Sequence, residues 1–118
     1  MLNSCSIGGR LVKDAELRYS NDGKPYITFT LAVDRNYKTE DGERKTDFPD
    51  FTYGGSKKAC EFHARNLTKG RLLNVEAEYR ESQSEKDGKK YYNSFFRVKP
   101  NGIHYMDTNW AKRKDEEE

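Results

Sequence analysis

Tyr26-Ile27-Thr28-Phe29-Thr30-Leu31-Ala32-Val33 decides the fold class of this chain. Ile27, Phe29, Leu31 and Val33 take every second position, and threonines fill the other face. Side chains alternate between the two faces of a strand, so this period of two describes a strand with one face in a core and one in water. A second alternation sets Leu73, Val75, Ala77 and Tyr79 against Asn74, Glu76, Glu78 and Arg80, with a more heavily charged wet face.

Three weaker segments complete the set. One lies around Cys5 and Ile7, one spans Phe48–Tyr53, and one spans Tyr91–Lys99, where Tyr92, Phe96 and Val98 face inward. Asn21-Asp22-Gly23, Asp41-Gly42 and Asp87-Gly88 separate these segments with residue types that tolerate positive φ, so most connections read as hairpins. Ser56–Lys69 is the exception: Ser56 is a helix cap, Cys60, Ala64 and Leu67 form a narrow apolar stripe, and Gly70 is the stop. The order strand, strand, strand, helix, strand, strand predicts an all-β chain. It is that of a five-stranded OB-fold barrel with one short helix between strands 3 and 4. Residues 1–106 form this domain, Ile103–Met106 extending the last strand beyond Pro100-Asn101-Gly102, and 107–118 form a flexible, acidic-ended tail.

The 118 residues suffice for one domain, and their composition makes its core small. Hydrophobic residues are 33% and charged residues 36%, against about 45–50% and about 25% in ordinary globular chains. Six Phe, eight Tyr and one Trp compensate with large side chains. A domain this small gains from association. No apolar run approaches the roughly 20 residues of a membrane span, and the start lacks the plan of a signal peptide, which predicts a soluble, intracellular protein without a membrane partner. Cys5 and Cys60 are far apart and have no ligand-spaced neighbour, so reduced thiols are expected and a metal is not.

Catalysis finds no support in the motifs. The sequence has no Gly-rich phosphate loop, no nucleophile elbow and no His pair at helical spacing; His63 and His104 are isolated, and Asp47 and Asp50 have a commonplace spacing. Neither an enzyme nor a cofactor is expected. Basic residues interleaved with aromatics are the distinctive feature: Arg35-Asn36-Tyr37-Lys38, Arg44-Lys45 before Phe48, Arg80, and Lys89-Lys90-Tyr91-Tyr92. They fall at strand ends and in hairpin loops. Single-stranded nucleic acid needs this mixture, cations for its phosphates and rings for its unpaired bases. Rings completing a core and charges solvating a surface would leave the same mark. Asp115-Glu116-Glu117-Glu118 conceal part of the basic character, since without them 22 basic residues face 16 acidic ones. Such a tail can compete with nucleic acid or bind a basic partner.

Four segments in order carry a resemblance. They are Ile7–Tyr19 (IGGRLVKDAELRY), Ile27–Val33, Asp47-Phe48 and Asn66-Leu67-Thr68-Lys69-Gly70. Together they resemble bacterial and phage-type single-stranded DNA-binding proteins, a homo-oligomeric OB-fold family, and the likeness spans residues 1 to about 106. It implies sequence-tolerant binding of single-stranded DNA during replication, recombination and repair, without catalysis or cofactor. It also implies assembly as a dimer or tetramer, with replication or recombination proteins as partners, in the cytoplasm of a bacterium or of a phage host.

Residue by residue, the resemblance puts stacking aromatics at Tyr37 and Phe48. At the next such position either Tyr53 or, one residue on, Gly54 falls in place. Gln83-Ser84 stand where the family carries a Trp or Tyr, so Tyr91 or Tyr92 would have to replace that ring. Arg35, Lys38, Lys69, Arg80, Lys86, Lys89 and Lys90 are the candidate phosphate contacts. An OB-fold RNA-binding module and a protein–protein adaptor are the competing readings.

Overall fold

A computed structural model describes residues 1–107. Seven strand segments and one helix follow in the order β1 (Cys5–Leu11), β2 (Glu16–Tyr19), β3 (Pro25–Lys38), β4 (Arg44–Asp47), β5 (Asp50–Gly54), α1 (Lys57–Asn66), β6 (Leu72–Lys86) and β7 (Lys89–Tyr105). Sheet neighbours run β1-β6-β7-β5-β3, and a further β1–β3 pairing closes the circuit. All pairings are antiparallel except β5 with β7.

Two of the strands are each built from a pair of segments. β1 and β2 flank the bend at residues 12–15 and both pair with β3; β4 and β5 flank Phe48-Pro49 and also pair with β3. The barrel therefore has five strands and one helix between the third and fourth, as the element order predicts. Proline has no N–H to give to a ladder, so the interruption at Pro49 is where the third strand has to break.

The period-two pattern of β3 becomes burial directly: Ile27, Phe29 and Leu31 are 0%, 3% and 0% exposed. Leu11, Phe51, Leu73, Val75, Ala77 and Val98 join them from the other strands, and Cys60 and Leu67 from the helix. Phe51 is the hub. It stacks on Phe29 at 5.1 Å between ring centroids and meets Phe96 at 5.6 Å. The helix begins as expected, Ser56 Oγ accepting the Ala59 N–H at 3.1 Å, but it ends earlier than expected, at Asn66 with Leu67 as its cap, and Gly70, at φ +89°, lies in the turn that follows.

Three elements extend beyond the sequence reading. Glu16–Tyr19 forms a strand that the pattern did not call for, pairing with Pro25–Thr28. β3 runs on to Lys38 and folds back through Arg44–Asp47, so the turn at Asp41-Gly42 caps a protruding hairpin. β6 and β7 pair from Arg80–Phe95 out to Lys86–Lys89 with every residue of β6 from Arg80 onward exposed, which makes a second arm. Pro100-Asn101-Gly102 interrupts the ladder without ending it. Lys99–Gly102 bulge out between the pairs Ala77–Val98 and Val75–Ile103, with Asn101 at φ +57° and no room for a Cβ at Gly102 beside the Glu76 carbonyl.

Asp107 belongs to the folded body. Its carboxylate pairs with Arg71 at 3.2 Å and accepts the Leu72 N–H at 3.1 Å, while Arg71 lies over the Tyr105 ring at 4.4 Å. The remaining expected tail, 108–118, lies outside the described residues. No described helix is long and apolar enough to cross a membrane.

Candidate nucleic-acid interface

Strand register sorts the candidate residues onto faces. In the β6–β7 arm the directly opposed pairs are Glu78–Arg97, Arg80–Phe95, Ser82–Asn93, Ser84–Tyr91 and Lys86–Lys89. Alternation puts all ten side chains on one side. The intervening pairs, Tyr79–Phe96, Glu81–Ser94, Gln83–Tyr92 and Glu85–Lys90, take the other, which continues the core face past the barrel rim. One side thus carries Arg80, Lys86, Lys89, Arg97 and two rings against a single carboxylate. The opposite side carries Glu81, Glu85 and Lys90.

This sorting divides the predicted residues. Arg80, Lys86, Lys89 and Tyr91 are brought together, whereas Lys90 stands across from Glu85 on the reverse side and does not share their face. Tyr92 follows the inward parity of Phe96, but beyond the rim nothing among the described residues covers it and it is 58% exposed. Lys69 is elsewhere: it sits in the α1–β6 turn with its backbone N–H on Asp14 of the β1–β2 bend at 2.8 Å.

Asp87-Gly88 at the arm's tip adopts φ +57° and +76°, the geometry of a two-residue hairpin turn, which sets Lys86 directly opposite Lys89. The β3–β4 hairpin repeats the arrangement with Lys38 opposite Arg44. Like charges directly opposed destabilise a ladder by about 0.2–1 kcal/mol. A polyanion laid along the hairpin would relieve that repulsion.

Arg35 has a hydrogen-bond partner at each guanidinium nitrogen. Nε and Nη2 each donate to Asp47 at 3.0 Å, and Nη1 donates to the Tyr37 hydroxyl at 3.0 Å. Asp47 is held below the usual carboxylate range by this guanidinium, whose own pKa is raised by the same hydrogen bond. With its charge met by Asp47, Arg35 braces the Tyr37 ring, which is 59% exposed. Asp47 is likewise not free for a cation, and Asp50 accepts a hydrogen bond from Thr30 at 2.5 Å. Phe48, freed from the ladder by the Pro49 break, is 61% exposed.

Tyr53 takes the core side. It shares parity with Phe51, and its ring meets the His63 ring edge-on at 4.8 Å, so burial raises its pKa. Of the two alignments open at this position, the one with Gly54 on the outer face matches the geometry. Tyr53 is thereby removed from the solvent face where a base would stack. Gly54 instead lies beneath Arg97, on β7, whose side chain lines two recesses of about 600 Å³ and about 340 Å³. Phe95 and Arg97 share this candidate face and were not among the residues expected there. Their signal was present, because a strand with Phe96 and Val98 inward must turn its odd-numbered neighbours outward.

The interface lies on a fold that known proteins share. A family model described as the single-strand binding protein family matches residues 2–100. A single-stranded DNA-binding protein of Caldanaerobacter subterraneus subsp. tengcongensis is 51% identical over 76 residues, covering 64% of this chain and 49% of that protein. One from Aquifex aeolicus is 37% identical over 91 residues, covering 77% of this chain and 62% of the relative. The chain therefore spans about half to three-fifths of the length of these curated relatives. Among solved structures, one described as a Plasmodium falciparum SSB complex with ssDNA superposes with a TM-score of 0.74 at 19% identity, over 91% of this chain and 96% of that one. That likeness concerns the fold. By the match across nearly its whole described length, the chain belongs to the single-strand binding protein family.

Proposed function

We propose that this chain binds single-stranded DNA without strong sequence preference, by base stacking and phosphate contacts, and protects it during replication, recombination and repair. The carrying observation is the one-sided arm: Arg80, Lys86, Lys89 and Arg97 share a face with Tyr91 and Phe95, Glu78, paired with Arg80, is the one carboxylate there, and Glu81 and Glu85 take the opposite face. Tyr37 and Phe48 add exposed rings on the neighbouring strand pair. Stacking on such rings is worth about 1–3 kcal/mol per base and tolerates any sequence, because every base has a π-face. Binding alone accounts for these features, so no catalytic step or cofactor enters the reading.

Self-association into a dimer or tetramer fits the same chain. β1 pairs with β6 along Cys5–Arg10 but with β3 only at Arg10 and Leu11, so the other edge of Cys5–Gly9 has no partner among the described residues. Unpaired strand edges are templates for a second chain. We place the protein in a bacterial or phage-host cytoplasm, with replication or recombination proteins as further partners.

Titration with a long oligo-dT strand at several salt concentrations, with duplex and matched RNA as controls, tests the function. Preference for the DNA single strand, with a log–log salt slope of about −0.7 per phosphate neutralised, supports it. Tyr37→Ala with Phe48→Ala should then weaken binding. Equal binding to duplex would leave only a nonspecific basic surface, stronger RNA binding would indicate an RNA module, and no binding at low salt would favour a protein adaptor.

A further inference from the structure

Gly54 and Arg97 meet on the outer face where β5 runs beside β7. Their strands run parallel at this point, Thr52 being level with Arg97. A Cβ placed on Gly54 would stand 2.5 Å from Arg97 Nη2 and 3.0 Å from both Cζ and Nη1. Three guanidinium atoms at such similar distances mean that the plane of the group, and not one tip, lies across the path of a side chain at position 54. Arg97 fills the volume that any larger residue there would claim.

The charge of this guanidinium is uncommitted. Among the described residues Arg97 makes no ion pair or side-chain hydrogen bond. Glu78, directly across on β6, is engaged with Arg80 at 3.1 and 2.6 Å. Arg97 also forms a wall shared by both recesses, the larger one lined by Tyr26, Ser56 and Lys57 and the smaller by Thr52, Arg80, Glu81 and Phe95. A flat, unpaired cation between two openings on a basic face suits a flat, π-rich ligand.

We propose that the Arg97 guanidinium is itself a base-stacking platform, seating one unpaired nucleobase of any identity against its plane. Arginine planes stack on bases and add a cation–π attraction that an aromatic ring lacks. The small residue at position 54 is then a requirement of the platform, since a side chain there would push the guanidinium off the face. This inference deepens the single-stranded DNA reading and rests on it.

The test uses the full chain and fluorescence anisotropy with two labelled strands of equal length, oligo-dT and an abasic oligomer with the same phosphates. Wild-type preference for oligo-dT over duplex and over the abasic strand is checked first; its absence would remove the binding function and this platform together. Given that preference, Arg97→Lys should weaken oligo-dT binding about tenfold with an unchanged salt slope and leave abasic binding unaltered, because lysine keeps the charge and loses the plane. Wild-type affinity in Arg97→Lys, or an equal loss on both strands, would overturn the platform and make Arg97 a phosphate contact. A second variant guards against misfolding: Arg97→Ala with Gly54→Phe should recover oligo-dT binding relative to Arg97→Ala alone. Failure to recover in a chain with wild-type circular dichroism would count against the proposal.

Discussion

Lys86 and Lys89 face each other across the Asp87-Gly88 turn as a directly opposed pair at the tip of the β6–β7 arm. Neither has an ion-pair partner among the described residues. The same juxtaposition of Lys38 and Arg44 closes the other hairpin, so each arm ends in a repulsive pair. Replacing Lys86 and Lys89 together by alanine should leave the melting temperature unchanged or slightly higher. It should also weaken oligo-dT binding and make the salt slope shallower by about 0.7 for each phosphate that is no longer neutralised. A lower melting temperature with unchanged binding would make the pair a structural feature only.

Tyr91 and Tyr92 are chain neighbours of similar exposure, 49% and 58%, on opposite faces of the arm. Tyr91→Ala should reduce oligo-dT affinity by about 1–3 kcal/mol, and Tyr92→Ala by much less. Lys90→Ala should resemble Tyr92→Ala. The comparison needs only anisotropy titrations at one salt concentration, and a reversal of the order would place the ligand on the acidic side.

Tyr53 is expected to act on stability and not on binding. Its ring packs on the core against His63 and the helix, so Tyr53→Ala should lower the denaturation midpoint while the folded fraction keeps its affinity. Phe51→Ala sets the scale. A fully buried ring packed between two others is worth about 3–5 kcal/mol on truncation, a large share of what a domain of this size has.

His63 gives the fold a pH dependence. Its Nδ1 lies 2.8 Å from the Tyr105 hydroxyl in a half-buried nest of rings, and burial lowers its pKa from 6.5. Burial also pushes Tyr105 up to about 12, so its hydroxyl keeps its proton throughout the neutral range. A folded-state pKa below the unfolded one means the unfolded chain takes up the proton first. Stability is therefore complete above the unfolded value and falls as pH drops through it toward the folded pKa. Thermal melts between pH 8 and about 5 should show this decline, and His63→Gln should remove the part that sets in as the pH falls below about 6.5.

Asp107 fastens the end of β7 to the start of β6. Arg71 and Asp107 side chains are 10% and 12% exposed, so removing the carboxylate leaves a nearly buried guanidinium short of its counter-charge. Breaking a buried pair costs about 3–5 kcal/mol. Asp107→Ala should fall toward the lower end of that range by urea denaturation, because Arg71 keeps the Asn66 carbonyl at 3.0 Å and the Tyr105 ring. A change smaller than the error of the midpoint would show the clamp to be dispensable.

The alternation in Ile27–Val33 and Leu73–Tyr79 and the Ser56 cap are local signals, and they were enough to determine an all-β barrel with one helix, whose end at Asn66 precedes the expected stop at Gly70. Glu16–Tyr19 and Arg44–Asp47 escaped because four-residue, largely polar segments become strands only when a long neighbour such as β3 offers its edge. Exposed rings at Tyr37 and Phe48 were also legible, since their setting of basic and turn residues is a property of nearby sequence. The choice between Tyr53 and Gly54 was not. It depends on which face of β5 meets the core, fixed where Phe51 pairs with Phe29 on one side and Phe96 on the other. Arg97 over Gly54 was still less accessible, because β5 and β7 become parallel neighbours only through barrel closure. Sequence period determines which residues share a strand face, whereas contact between strands far apart in the chain depends on how the sheet closes, and only the tertiary structure decides that.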